Sequence, residues 1–444
     1  GLTVPVHIEK LSLQRVQLSL SQPRWERPLV LAVDTISGGQ SQDDQAFLDG
    51  SGQLGNLPFS LKGSMGSITS LLNQGPVSYQ LNGKLGEASL HSEGSIDSLA
   101  APLRPRIDLV LNGPDILQIT QAMGAPKIAE GPFEANINIM PGDHGVSSQI
   151  QGRFGQLQLH ADISTEDLTF RKNIDIRARL SGEDLAAFAD LLRLPPLPKG
   201  RFEIDTALQG DISHTRIEKM TASVGTHRIS IEGVIGARPE LKGTRLALQA
   251  NGPDLAVFSP TIAMMGLGQL PAGAYTVTAL LEPGNDGLQV RPSKVTAGDY
   301  RATVEGRILT RNRFRAELNV TGSGPDLSMV SRLVDIIQLP GLPFQAKGRL
   351  DITTEDITLI GISGTAGKHT VAVDGPIAFS STGPLRLDVK GSGPSLQAIL
   401  QGLGYDVIPA AAAYQVNGTV EFTNKRLVVT AKHAQLGPGS YTHL

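Results

Sequence analysis

The chain has 444 residues, a formal net charge of −3 and no cysteine. The near-neutral charge offers no basic face for displacing counterions from nucleic acid, and the lack of cysteine excludes disulfides, thiolate nucleophiles and zinc–thiolate sites. Its 50 glycines and 28 prolines, with only 4% aromatic residues, indicate a turn-rich β protein, and no apolar run reaches the ~20 residues of a membrane-spanning helix.

Residues 1–60 form the first segment, for which the sequence predicts β structure. The chain opens on Gly1 rather than on methionine, and its last residues fall inside a strand pattern. We therefore expect both termini to be truncated.

Residues 61–444 form five to six repeats of ~70 residues, with approximate starts at 61, 113, 182, 252, 324 and 393 and a shortened last copy. One aligned column reads Asp115, Asp184, Asp254, Asp326 and Ser395, with spacings of 69, 70, 72 and 69. An aromatic follows 18 to 21 residues later: Phe133, Phe202, Tyr275, Phe344 and Tyr414. A weaker copy has Ser67 in the column and Tyr79 near the aromatic position. Such a period predicts a modular array forming one continuous, elongated domain.

Strict alternation precedes each column residue. In "TRLALQANG", Leu246, Leu248 and Ala250 share one face while Arg245 and Gln249 share the other. This pattern is typical of a strand with one side in water. Each repeat reads as about four strands and one short amphipathic helix, so the predicted fold is mostly β: an elongated, curled antiparallel sheet that forms a repeating β-groove.

The column residues have two interpretations. A Gly-Pro-Asp triplet can hold a catalytic aspartate on a tight loop, but Asp and Ser are both good helix N-caps. Ser395 would replace a catalytic or metal-binding carboxylate poorly. Leu327, Val330, Val334 and Ile337 follow at helical spacing. We therefore predict structural helix caps.

A second column places glycine on the apolar face of a strand: Gly94, Gly233, Gly306 and Gly375, with Ala161 in the intervening copy. Glycine inside a strand marks a bulge or the close approach of another group. We expect the helix of the repeat to pack there. The alternative is a shallow lane left open for a ligand.

No motif supports an enzyme. The segment "GISGTAGKHT" resembles a phosphate-binding loop, but Ile362 occupies the first glycine position and His369 replaces the Ser or Thr that would hold magnesium. It aligns instead with a turn between strands. The nine histidines lack metal-ligand spacing, so we predict no catalytic residue, no metal and no cofactor.

The repeat itself indicates a function. One short helix per repeat is too small to cover the apolar face of four strands, so we expect an aliphatic trough with few polar groups. Such a lining suits acyl chains, at roughly 25 cal/mol per Å² buried. The candidate lipid-binding residues are Leu109, Leu111, Ile137, Ile176, Ile204, Ile229, Ile231, Leu246, Leu248, Val277, Val304, Leu318, Val320, Val371, Val373, Leu387, Val389 and Val416.

The repeated "L-x-L-x-x-x-G-P-D-L … P … F/Y" unit resembles that of the AsmA-like family of Gram-negative envelope proteins, including its TamB branch. So do the openings "VPVHIEKLSLQRVQLSLSQP" and "LDGSGQLGNLPFSLKGSMGSITSLL". The resemblance spans the chain, although each motif is degenerate by itself. It implies a periplasmic groove, an inner-membrane anchor before the first residue of this chain, and phospholipid movement between the inner and outer membranes. It also implies membranes and other envelope proteins as partners.

One alternative stays open. A structural or assembly factor for the outer membrane would use the same sheet as a β-scaffold and pair its strand edge with a partner. Its apolar face would then be closed by self-packing, without lipid.

Overall fold

A computed structural model describes most of the chain. The described residues are 11–20, 29–40, 45–67, 70, 73–98, 104–122, 129–142, 145–166, 173–189, 195–211, 214–237, 241–263, 267–309, 314–334, 338–378, 385–405, 412–423 and 426–441. Over these residues the protein is mostly β-strand with short helices, and all the described pairings between strands are antiparallel. The predicted mostly β, antiparallel fold is confirmed.

The chain divides into two compact units, and the first comprises Gly1–Leu194 and Lys199–Ile212. Each of its described strands pairs with the next one along the chain. They are β1 Leu11–Leu20, β2 Leu29–Gln40, β3 Gln45–Leu54, β4 Leu57–Ser67, β5 Val77–Leu85, β6 Ala88–Ile96, β7 Pro105–Gly113, β8 Phe133–Gly142, β9 Gly145–Phe154, β10 Leu157–Thr165, β11 Ile174–Gly182 and β12 Phe202–Gly210.

The second unit comprises Pro195–Pro198 and Ser213–Leu444. Its described strands also pair in chain order. They are β13 Thr215–Val224, β14 His227–Ile235, β15 Arg245–Gly252, β16 Tyr275–Pro283, β17 Gly287–Ala297, β18 Tyr300–Leu309, β19 Arg315–Gly324, β20 Phe344–Ile352, β21 Asp356–Ala366, β22 His369–Ala378, β23 Leu385–Gly393, β24 Tyr414–Thr423, β25 Arg426–Leu436 and β26 Gly439–Tyr441. The predicted single continuous domain stays a prediction.

Short helices separate groups of four strands. They are the α-helices Ile116–Ala122, Ala186–Ala189, Ser259–Ala263, Ser328–Val334 and Leu396–Gly402, the third preceded directly by the 3₁₀ turn Leu255–Phe258. Four strands lie between each helix and the next, which confirms the repeat of four strands and one helix. Ile337, which we expected on the fourth helix, lies outside the described residues.

The first repeat is shorter than the others. In the part of this stretch that the structure describes, three strands, β5, β6 and β7, lie between Ser67 and Asp115. The hydroxyl of Ser67 accepts a hydrogen bond from the backbone N–H of Ser70 at 3.3 Å, a geometry typical of a helix N-cap. Among the described residues, the weak copy in the sequence is therefore an abbreviated repeat with three strands.

The segment that resembled a phosphate-binding loop is a hairpin turn. Gly367 and Lys368 connect β21 to β22, and Gly367 has a φ of +57°. A positive φ at the first residue suits a two-residue hairpin turn, because its twist matches that of the flanking strands. The rejection of a phosphate loop is therefore consistent with the fold.

The second glycine column marks a recurring β-bulge. Strands β13, β17 and β21 each contain one extra residue, next to the positions paired with Gly233, Gly306 and Gly375. A Cβ at Gly233 would overlap the carbonyl oxygen of Arg245 in the following strand. Our expectation that the helix of the repeat packs on these glycines is wrong. The close neighbour is the backbone of the adjacent strand, because a bulge bends the local ladder.

Candidate functional site: the apolar face of the sheet

The eighteen predicted groove residues lie on one face of the sheet within each unit. In the first unit Leu109 stands opposite Ile137, which stands opposite Ile150. In the second, Val304 stands opposite Val320, and Val373 opposite Val389. Because directly opposed residues project to the same side, the register forms aliphatic rows that run across the strands.

These side chains are neither sealed nor fully exposed. Seventeen of the eighteen are half-buried, and Leu387, at 7% exposure, is buried. A closed aliphatic core would bury most of its large side chains almost completely. The neighbouring strands therefore cover the flanks of these residues, and the rows stay partly exposed.

Two clusters of fully buried apolar residues lie where a helix meets the strand ends, and other buried residues, such as Leu288, Ala316 and Ile377, lie at the opposite strand ends. Ala88, Ile116 and Phe133 form one such cluster, and Leu111 of the predicted groove packs against it. Leu255, Tyr275 and Ala297 form another, in contact with Val277. These two helices thus cover one end of their groups of strands, while most of the predicted groove residues remain half-buried.

The column aspartates cap these helices. Asp115, Asp184, Asp254 and Asp326 each accept a hydrogen bond at Oδ1 from the backbone N–H two residues later, at 2.8–3.1 Å. Ser395 accepts one from Ala398 at 3.2 Å. A side-chain oxygen in this position satisfies an N–H group of the first helical turn. The capping interpretation is confirmed, and the carboxylates are occupied structurally.

The same aspartates make a second contact that the sequence analysis missed. Asp115, Asp184 and Asp254 also accept a hydrogen bond from the N–H groups of Gly131, Gly200 and Gly273, at 3.0–3.1 Å. These glycines have φ values of +92°, +132° and +112°. Each lies two residues before the aromatic that opens the next strand, a spacing visible in the sequence. The aspartate therefore fastens the helix to the strand that follows it.

In the triplets of Asp115 and Asp254, the glycine makes room for that aromatic ring. A Cβ on Gly113 would lie 2.7 Å from the ring of Phe133, and one on Gly252 would lie 2.8 Å from that of Tyr275. Both distances are below normal carbon–carbon contact. The triplet thus combines a steric role for glycine with a capping role for aspartate.

Where the ring is tyrosine, a histidine stands beside it. His227 Nδ1 lies 3.3 Å from Tyr275 Oη, and His369 Nδ1 lies 3.3 Å from Tyr414 Oη. Each pair is stacked with ring centroids 5.8 Å apart. The pairing satisfies a hydroxyl group that is partly removed from water. Burial lowers the pKa of His369 and raises the pKa of Tyr414.

The opposite face of the sheet is polar and carries ion pairs. Glu317 Oε2 lies 2.7 Å from Arg307 and 2.8 Å from Arg349, in the two flanking strands. Arg315 lies 2.5 Å from Asp351, and its hydrogen bond is the main cause that lowers the pKa of that carboxyl group. Charged groups thus cover the side that faces away from the aliphatic rows.

The described part of the chain contains no group of three or more His, Asp or Glu side chains placed to hold a metal ion. Among its helices, none is long and apolar enough to span a membrane. Comparison of the chain with protein-family models, with curated proteins and with solved structures finds no match in any of the three.

Proposed function

We propose that the chain is part of a periplasmic, bridge-like lipid transfer protein, in which the apolar face carries phospholipid acyl chains between the inner and outer membranes. The proposal rests on the half-buried state of the aliphatic rows. A scaffold closed by self-packing would bury Leu248, Leu318 and Val373, whereas these side chains remain partly exposed. The resemblance to AsmA-like proteins favours the same function and supplies its location.

The spacing of the rows suits an extended hydrocarbon chain. Strands lie ~4.8 Å apart, so a chain running along a row meets a new aliphatic side chain at about that interval. Each methylene group removed from water contributes ~0.8 kcal/mol. Few hydrogen-bonding side chains interrupt the rows, so the face holds acyl chains by contact area and discriminates little between them.

Lipid extraction followed by mass spectrometry tests the proposal directly. The chain purified from a Gram-negative host should carry phospholipid with mixed acyl chains. Recovery of lipid-free protein that also fails to take up fluorescent phospholipid from vesicles would contradict the function and would favour a scaffold.

Substitutions in the rows provide the matched comparison. Leu248→Asp, Leu318→Asp and Val373→Asp place charges on the apolar face of three strands. The control variants Gln249→Asp, Asn319→Asp and Ala372→Asp change the adjacent residues, whose side chains project to the polar face. The first set should reduce bound lipid severalfold and the second should leave it unchanged, with circular dichroism monitoring the fold in both.

A further inference from the structure

An open cavity lies on the polar face of the second unit, over strands β18, β19, β20 and β21. Its volume is about 560 Å³, and its lining includes Arg301, Lys347 and Gln345 together with five hydroxyl-bearing residues. Arg301 stands opposite Ser323, and Lys347 opposite Thr321, so these side chains share the polar face. The lining contains no carboxylate.

The two cations of this cavity lack the partner that neighbouring cations have. Arg307 and Arg349, in the same strands β18 and β20, both bind Glu317 of the central strand β19. At the cavity, β19 presents only neutral Thr321 and Ser323 between the two cationic side chains. Among the described ion pairs and hydrogen bonds, none involves Arg301 or Lys347. Arg301 and Lys347 thus flank β19 as Arg307 and Arg349 do, but no carboxylate of β19 lies between them.

The hydroxyl groups of the cavity are also without protein partners among the described hydrogen bonds. On the same face, Thr276 bonds Thr296 at 2.7 Å and Thr370 bonds Ser392 at 2.6 Å. Between those two pairs, the hydroxyls that line the cavity form no such bond. They are Thr303, Thr321, Ser323, Ser363 and Thr365. These groups are free to donate to a ligand.

We propose that this cavity binds a small ligand carrying two or more oxyanion groups, such as a diphosphate. Arg301 and Lys347 are two strands and two residues apart, which places their Cα atoms roughly 12 Å from each other. Two long cationic side chains reaching inward across that distance suit a ligand with two charged groups better than a single phosphate. Hydroxyl and amide donors complete its coordination, as is usual for phosphate recognition.

Isothermal titration of the full chain with inorganic pyrophosphate at low ionic strength tests the site. We expect saturable binding that the double variant Arg301→Gln, Lys347→Gln weakens at least tenfold. The control is Arg228→Gln, Lys219→Gln, which removes the same charge from exposed residues of the same unit outside the cavity. The control variant should bind within twofold of the wild type. Absence of binding, or equal loss in both double variants, would overturn the proposal.

The diphosphate group belongs either to a soluble compound or to a lipid headgroup, and a second arm separates these sources. Vesicles containing a lipid with a diphosphate headgroup are compared with vesicles of neutral lipid. Vesicle binding that requires Arg301 and Lys347 assigns the site to headgroups, whereas binding of pyrophosphate alone assigns it to soluble ligands. Because the cavity lies on the polar face, its test is independent of whether the apolar face binds lipid.

Discussion

At the scale of single residues, the tyrosine–histidine pairs link packing to protonation. His369 is 7% exposed and stands beside Tyr414. Burial lowers the pKa of the imidazole, so the folded state favours the neutral ring. The neutral His369 ring contributes fully to the stability of the folded state above the unfolded pKa of about 6.5. This contribution is lost as the pH falls through the lower pKa of the folded state.

We predict from this that acidification destabilises the second unit through His369. Its imidazole should titrate below 6.5 in an NMR experiment with labelled histidine. Between pH 7.5 and pH 5.5 the wild type should lose more thermal stability than the variant His369→Phe, Tyr414→Phe, which keeps the stacked rings and removes the titrating group. An equal loss in both proteins would show that His369 does not carry the effect.

The sequence predicted the roles of some of these residues and not those of others. The capping role of Asp254 was predictable because the sequence repeats five times with Asp or Ser at one position, and a cap acts on its own first helical turn. The contact of His227 with Tyr275 was not predictable, because it joins residues 48 positions apart. The glycine column indicated a bulge or a close approach, but the sequence did not place the extra residue in the strand opposite Gly306 and Gly375, because that position depends on the register of a neighbouring strand.

At the scale of elements, three of the column aspartates, Asp115, Asp184 and Asp254, link a helix to the segment before the following strand. Asp254 accepts hydrogen bonds from Ala256 and Gly273, 19 residues beyond it. Ser395 has a shorter side chain and caps its helix through Ala398. The fifth repeat therefore provides a natural example of a cap whose described hydrogen bonds do not include this second contact.

We expect Asp254→Ala to destabilise its repeat by about 1–3 kcal/mol, because a helix cap and a loop hydrogen bond are both lost. Asp254→Ser keeps a capping oxygen and should cost about half as much. Chemical denaturation followed by circular dichroism measures both. Equal stability of the alanine variant and the wild type would exclude the fastening role.

At the scale of the whole molecule, the described strands within each unit pair with their neighbours along the chain. The free energy of such an array is approximately a sum of local terms, as in other repeat proteins. A defect in one repeat is expected to spread little beyond the adjacent strands.

Hydrogen exchange of the Asp254→Ala variant tests this locality. Amide protection should fall about tenfold or more in β15 and β16, and that in β8 and β9 should remain as in the wild type. A uniform decrease throughout the chain would instead indicate that the units unfold as a single cooperative body.

The number of strands per repeat also has a consequence for the placement of the helices. In an antiparallel meander each additional strand reverses the direction of the chain. Because four strands separate one helix from the next, the strands before the helices of Asp254, Asp326 and Ser395 run in the same direction. These three helices therefore all follow the same end of the strands in their sheet. The three strands between Ser67 and Asp115 place those two connections at opposite ends of the strands. Whether the number of strands is odd or even thus decides at which strand end a helix lies. Deletion of a single strand would therefore move every later helix of that sheet to the opposite end of the strands.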